Sequence, residues 1–326
     1  MNQAQGTPRA SMLKVAVALA AVYLIWGSTY LAIRFSIETI PPFLMAAARY
    51  LTAGVILYLW ARFRGAPRPS LVHWRSALIV GAFLLLAGNG GVVWAEQHVD
   101  SGLAALLIST EPLWIVLLVW LRPGGKKPGL RVISGLALGF LGLMLLVRPG
   151  AGGSGVHLLG AAALGIASLC WAWGSLYGQR AKLPESPILT TGMQMLTGGA
   201  LLFLASLVTG EPGRFEPAQV SVKSLLALGY LVVFGAIVAF TAYVWLLRVA
   251  SPVLVSTYAY VNPVVAVLLG WAVANEPLTT GTLIAAAVIL TGVALITSAQ
   301  TGGHSKEEKE PAWERVEGEA EVCATR

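Results

Sequence analysis

In the run SGLAALLISTEPLWIVLLVW (residues 101–120) one carboxyl group, Glu111, stands directly before Pro112, and nothing else in the run is ionisable. A proline inside a helix removes one hydrogen bond and frees the carbonyl four residues back, here near residue 108. A carboxylate at such a break can bind a cation, take up a proton or meet a substrate amine. The plain alternative is a neutral, hydrogen-bonded Glu that only packs. Asn262 precedes Pro263 in the same way within YAYVNPVVAVLLG (258–270). Its amide carries both donors and an acceptor, so it can hold a substrate carboxylate or bridge two helices. Pro112 and Pro263 are thus expected as a matched pair of helix breaks. Arg49, in PFLMAAARYLTAG (42–54), is the one basic residue well inside an apolar run. A buried guanidinium requires carboxylate or carbonyl partners. It can attract an anionic substrate group or serve structure, the role favoured by Gln194 at the matching place in PILTTGMQMLTGG (187–199). Asn89 lies among Gly88, Gly90 and Gly91, which admit either a ligand or a neighbouring backbone.

Aromatic side chains accompany these groups. WGSTY (26–30) recurs as WGSLY (173–177), so Trp26 and Tyr30, and again Trp173 and Tyr177, are four apart and share a helix face. Trp94, Trp114, Tyr243 and Tyr258 also lie inside apolar runs. They can line a cavity for apolar or aromatic substrates or simply fill a core.

The elements that must position these residues follow from composition. The chain has 326 residues, 56% hydrophobic and 11% charged, against about 25% charged in ordinary soluble domains. Ten apolar runs of membrane-spanning character stand out: 13–34, 41–61, 76–97, 102–121, 131–148, 156–180, 187–209, 222–248, 252–273 and 280–299. Each approaches the roughly 20 residues that cross a bilayer as a helix. The first run is read as a retained span rather than a cleaved signal, because cleavage would strip WGSTY of its helix. Seventeen of the 22 Lys and Arg residues fall at the ends or in alternate loops that share one side. This bias places both termini in the cytoplasm, and it accounts for the net charge of +7 without nucleic acid. Two cysteines, Cys170 and Cys323, offer no disulfide framework and no metal pattern.

The chain also repeats itself. Besides the cassette, Pro42, Leu44, Leu51, Thr52 and Gly54 recur as Pro187, Leu189, Leu196, Thr197 and Gly199; EPLWIVLL (111–118) pairs with NPVVAVLL (262–269), and GLMLLV (142–147) with GVALIT (292–297). The third and eighth runs match weakly. Five runs per copy is an odd number, so the two copies lie antiparallel. Inverted repeats enclosing a midplane site are the mark of secondary transporters that alternate access. The expected organisation is a cytoplasmic N-terminus (1–12), two five-helix repeats (13–149 and 150–299) and a disordered cytoplasmic tail (300–326). Gly135, Gly139 and Gly142, with Gly281, Ala285 and Gly292 less cleanly, form small-residue stripes for packing between helices or protomers, so the fifth and tenth runs are expected at the periphery.

In this organisation, and in WGSTY, GNGGVVWAEQHVDSGLAALLISTEPLW (88–114) and YAYVNPVVAVLLG, the chain resembles the EamA family of the drug/metabolite transporter superfamily over residues 13–299. The resemblance implies an all-α, ten-helix bacterial inner-membrane exporter of small metabolites such as amino acids, with a central cavity lined mainly by the first, third, fourth, sixth, eighth and ninth helices. An importer or facilitator of the same fold is the alternative reading, and a non-transporting scaffold or sensor a weaker one. An enzyme is disfavoured: His73, His98, His157 and His304 lie in loops, at run ends or in the tail, and neither G-x-S-x-G nor H-E-x-x-H is present. The expected partners are a small-molecule substrate and the lipid bilayer, with protons if Glu111 couples; no cofactor or metal is called for, and a monomer and a homodimer fit equally. The cassettes are expected to border the two alternating openings, or else to record duplication only.

Overall fold

The computed structural model describes residues 12–122, 127–147, 157–249 and 258–307, and these form helices joined by short turns with no strand among them. The long helices are α1 (Met12–Ser36), α2 (Pro42–Phe63), α3 (Leu71–Ala95), α4 (Ser101–Leu121), α5 (Leu130–Val147), α6 (Leu158–Gly178), α7 (Pro187–Val208), α8 (residues 222–249), α9 (Tyr258–Ala274) and α10 (Thr280–Glu307). Seven of them, α1–α4 and α6–α8, are long and apolar enough to cross a membrane; α5, α9 and α10 contribute shorter apolar stretches. Many large apolar side chains face outward, among them Leu59, Phe203, Leu204, Leu268 and Ile284, a surface compatible with hydrocarbon rather than water. The helix α10 continues to Glu307, past the expected boundary of the polar tail at 300; the rest of the tail and residues 1–11 lie outside the described residues.

Local sequence explains where helices begin. Proline occupies the first turn of both α2 and α7 (Pro42 and Pro187), where its missing N–H costs nothing. Ser70, Ser186 and Ser221 cap α3, α7 and α8, each accepting from the backbone N–H three residues on, of His73, Leu189 and Ser224.

Glycine then sets how the helices approach. Helix α2 runs along α7, and a Cβ at Gly54 would stand 2.8 Å from the Leu196 backbone nitrogen, while one at Gly199 would stand 3.0 Å from that of Leu51. Both are close approaches that only glycine permits. The residues in these two contacts are those matched in the sequence repeat. Helix α5 packs on α10 in a similar fashion, Gly135, Gly139 and Gly142 meeting Gly292, Ile296, Ile289 and Ala285, with Leu113 beside Gly139. The glycine stripe is therefore filled within the chain. Helix α1 lies against α9 and α8, and α6 lies against α3 and α4.

The third and eighth helices, which match poorly in sequence, share a backbone irregularity. Each contains an eight-residue π-helical segment, Ala82–Asn89 in α3 and Leu231–Val238 in α8. Widened turns of this kind concentrate at functional sites.

Candidate functional site

Helix α4 is interrupted: it runs from Ser101 to Ile108, turns at Ser109 and Thr110, and restarts at Glu111 with Pro112 in its first turn. Pro112 cannot donate to the Ile108 carbonyl, and Ser168 Oγ of α6 does so instead at 3.4 Å. Ser109 Oγ donates to Leu106 O at 2.7 Å and Thr110 Oγ1 to Leu107 O at 2.6 Å. Side-chain hydroxyls thus satisfy the carbonyls around the break, as a hydrocarbon setting demands. The expected partner break is different. Helix α9 is continuous from Tyr258 through Pro263 to Ala274, so the two prolines do not play equivalent parts.

The Glu111 carboxylate has no hydrogen-bonding or ionic partner among the described residues, and its field reaches Tyr30 of α1, Tyr243 of α8 and Tyr258 of α9. Around these lies an aromatic cluster. The Trp26 ring centroid is 5.1 Å from that of Tyr243 and 5.3 Å from that of Tyr258, and the two tyrosine rings are 5.8 Å apart. Trp26 Nε1 donates to Gly235 O at 3.2 Å, a carbonyl inside the π-helical segment of α8. Gly27 lets α1 sit directly on Val265 and the Asn262 carbonyl of α9. With its amide oriented to suit its neighbours, Asn262 donates to Tyr23 O at 3.3 Å and Tyr258 O at 3.2 Å, bridging α1 and α9.

The second cassette is placed otherwise. Trp173 and Tyr177 stack with centroids 5.4 Å apart and planes 5° from parallel, and Trp173 lies 4.0 Å from Phe83 of α3. Trp173 is 38% exposed. Trp94 packs on His98 at 5.0 Å, and Asn89 Nδ2 donates within its own helix to Leu84 O at 3.4 Å. Trp114 meets Phe140 edge-on at 5.6 Å, with its buried Nε1 unpartnered. The structure therefore gathers Trp26, Tyr30, Glu111, Tyr243, Tyr258 and Asn262, and leaves Asn89, Trp94, Trp114, Trp173 and Tyr177 elsewhere.

Arg49 is 6% exposed, and its Nε lacks a partner. Its guanidinium lies over the Tyr50 ring at 4.8 Å and beside Gly235, where an added Cβ would stand 3.1 Å from its Nη2. Gln194 sits half-buried on α7.

A cavity of about 960 Å³ lies where α2 turns into α3 and α6 into α7, lined by Leu57, His73, Pro184, Phe240 and Trp245, with exposed Arg68 and Glu185 on its rim. Phe240 and Trp245 connect it to the aromatic cluster: the Phe240 ring is 6.2 Å from Tyr243, and Trp245 packs in the same apolar group as Trp26 and Tyr258.

The opposite end is held by carboxylates. Glu276, 7% exposed, accepts from Ser101 N at 2.8 Å, Ser101 Oγ at 2.7 Å and Gly102 N at 3.0 Å, capping α4 from the turn between α9 and α10. Arg34, at the end of α1, reaches Glu276 at 3.6 Å and Asp100 at 3.2 Å. Burial, then the Glu276 charge, pushes the Asp100 carboxyl up from its ordinary value, against the pull of Arg34. Nearby, Glu211 accepts from Phe43 N at 3.2 Å and Leu44 N at 2.7 Å, capping α2. Anionic caps at helix N-termini satisfy orphan donors and the helix dipole together. Sequence reading singled out none of these. Glu-Pro recurs five times in the chain, at Glu111, Glu211, Glu216, Glu276 and Glu310, and only the fold singles out Glu211 and Glu276 as caps. No cluster of three or more potential metal ligands occurs among the described residues.

The EamA-like transporter family model matches residues 13–148 and 158–298. The uncharacterized inner membrane transporter YedA of Escherichia coli (strain K12) is 41% identical over 281 residues, covering 86% of this chain and 89% of its own. The uncharacterized transporter YoaV of Bacillus subtilis (strain 168) is 25% identical, covering 86% and 96%. PecM of Dickeya dadantii is 26% identical, covering 83% and 88%. One solved crystal structure, 22% identical, shares the fold with a TM-score of 0.60 over 87% of this chain and 96% of that one.

Proposed function

We propose, from the premise that this chain belongs to the EamA-like transporter family, that it is a secondary transporter exporting small organic metabolites, amino acids or related compounds, by alternating access. The observation that carries the reading is an asymmetry between ends. A cavity reaches solvent at the α2–α3 and α6–α7 turns, while the Glu276 bonds hold the other end shut. A carrier caught with one side open has this form.

Ten spans in two inverted repeats are part of the proposal. Exchanging the halves converts the α1–α9 and α1–α8 contacts into α6–α4 and α6–α3, and leaves the α2–α7 and α5–α10 pairs unchanged. The two π-helical segments are exchanged in the same way. The charge bias puts both termini, and with them the open cavity, in the cytoplasm of a bacterial inner membrane; YedA is named as an inner membrane protein. The substrate path then runs from the cavity past Phe240 and Trp245 to Trp26, Tyr243 and Tyr258, with the ionisable side chains of Glu111 and Arg49 beside this cluster. The unpartnered Arg49 Nε supports a contact with an anionic substrate group beside any structural role.

Efflux of labelled amino acids from preloaded cells lacking or overproducing the protein tests the reading. Faster loss on overproduction is expected. Net accumulation instead would replace export by import, and unchanged fluxes across an amino-acid panel would overturn the substrate class.

A further inference from the structure

Glu96 closes the last turn of α3, just past the Leu71–Ala95 span, and is 3% exposed. Neither carboxylate oxygen has a hydrogen-bonding partner. A buried carboxyl group so placed is costly as an anion. The charged groups whose fields reach it are those of Glu276 in the α9–α10 turn, Arg34 of α1 and Arg49 of α2; Tyr30 of α1 lies within its own field, and His98 and Asp100 follow it in the chain. Arg34 is already engaged by Asp100 and Glu276. Ionised Glu96 would compete with Glu276 for Arg34 and repel the Glu276 carboxylate.

We propose that Glu96 is a proton-binding residue that controls the Arg34–Asp100–Glu276 latch, protonated when the latch is closed and ionised when it opens. The proposal rests on the reading that this end opens during transport. Opening would admit water to Glu96, removing the burial that holds it neutral, and would separate it from Glu276. Burial first, and then the Glu276 charge, raises the Glu96 carboxyl well above its ordinary value, with Arg34 and Arg49 opposing. The sign follows from linkage: the closed state binds the proton more tightly, so closure is favoured at low pH and lost as pH rises through the closed-state value. Under the orientation proposed above, a proton taken up from outside would accompany each closure.

The test is a distance measured across the latch. Spin labels at Gln97→Cys and Thr280→Cys, both exposed positions, are introduced into the full chain with Cys170→Ser and Cys323→Ser, in lipid nanodiscs. The closed-to-open ratio is read by pulsed electron paramagnetic resonance at about pH 5.5 and about pH 8.5, with and without a mixture of amino acids. The expected result is a ratio that falls roughly tenfold or more at the higher pH, and a Glu96→Gln variant that stays closed at both. In parallel, infrared difference spectra of the unsubstituted chain should show a protonated carboxyl stretch that vanishes as the latch opens. A pH-independent ratio in the Glu96 protein, or a Glu96→Gln variant that keeps the pH response, overturns the proton role. A latch that opens with the amino acids yet ignores pH overturns this inference alone. A latch that stays shut under every condition overturns the alternating-access reading with it.

Discussion

Glu276→Gln gives the sharpest test of the closed end. The carboxylate receives three hydrogen bonds, two on Oε1 from Ser101 and one on Oε2 from Gly102 N, and a 3.6 Å contact from Arg34. An amide keeps a single acceptor oxygen. If that oxygen retains Ser101, the amide NH2 faces Gly102 N, and a buried donor left unsatisfied costs about 1–3 kcal/mol. The two surviving bonds fall from charge-assisted to neutral strength, a loss of about 1 kcal/mol each. Removing a buried charge returns part of this through desolvation. The net is about 3 kcal/mol against the closed latch, or roughly 150-fold in its equilibrium. Hydrogen–deuterium exchange at the Ser101 and Gly102 amides reads that opening directly and should accelerate by about the same factor, roughly 150-fold. Glu38→Gln is the control: its pair with Lys223 spans 2.6 Å but is 43% and 50% exposed, and surface pairs of this kind contribute little. Exchange at 101 and 102 unchanged within about threefold in a folded Glu276→Gln protein would refute the assignment of Glu276 as the closing group.

Further outcomes follow from the same geometry. Trp26→Phe keeps the ring cluster but leaves Gly235 O without its indole donor, so a loss of about 1–2 kcal/mol in thermal unfolding and reduced efflux are expected. Gly54→Ala places a methyl 2.8 Å from the Leu196 backbone nitrogen and should destabilise the α2–α7 contact by about 1–3 kcal/mol, visible as a lower detergent melting temperature. Glu111→Gln in proteoliposomes should abolish any proton-driven component of flux, and an unchanged flux with an unchanged pH response would remove Glu111 from coupling. Trp173→Ala should impair flux less than Trp26→Ala at equal protein levels, because Trp173 stands outside the Glu111 cluster.

Much of this protein was written locally. Apolar runs, the duplicated cassette, the break before Pro112 and the glycine stripe all depend on composition and spacing along one helix, and such patterns survive without knowledge of neighbours. The Gly54–Leu196 and Gly199–Leu51 contacts were even foreshadowed as matched residues. What only the tertiary structure decided is which of two similar words does what. Trp26 meets Tyr258 of α9 as well as Tyr243 of α8, whereas Trp173 meets Phe83 of α3, the counterpart of α8, with no ring contact to α4 among the described residues, and α9 runs straight through Pro263 while α4 stops at Ser109. The latch was beyond reach for the same reason. Glu276 takes its meaning from N–H groups 174 and 175 residues away, and a carboxylate's charge state is fixed by the partners and burial that folding supplies, not by its neighbours in the chain.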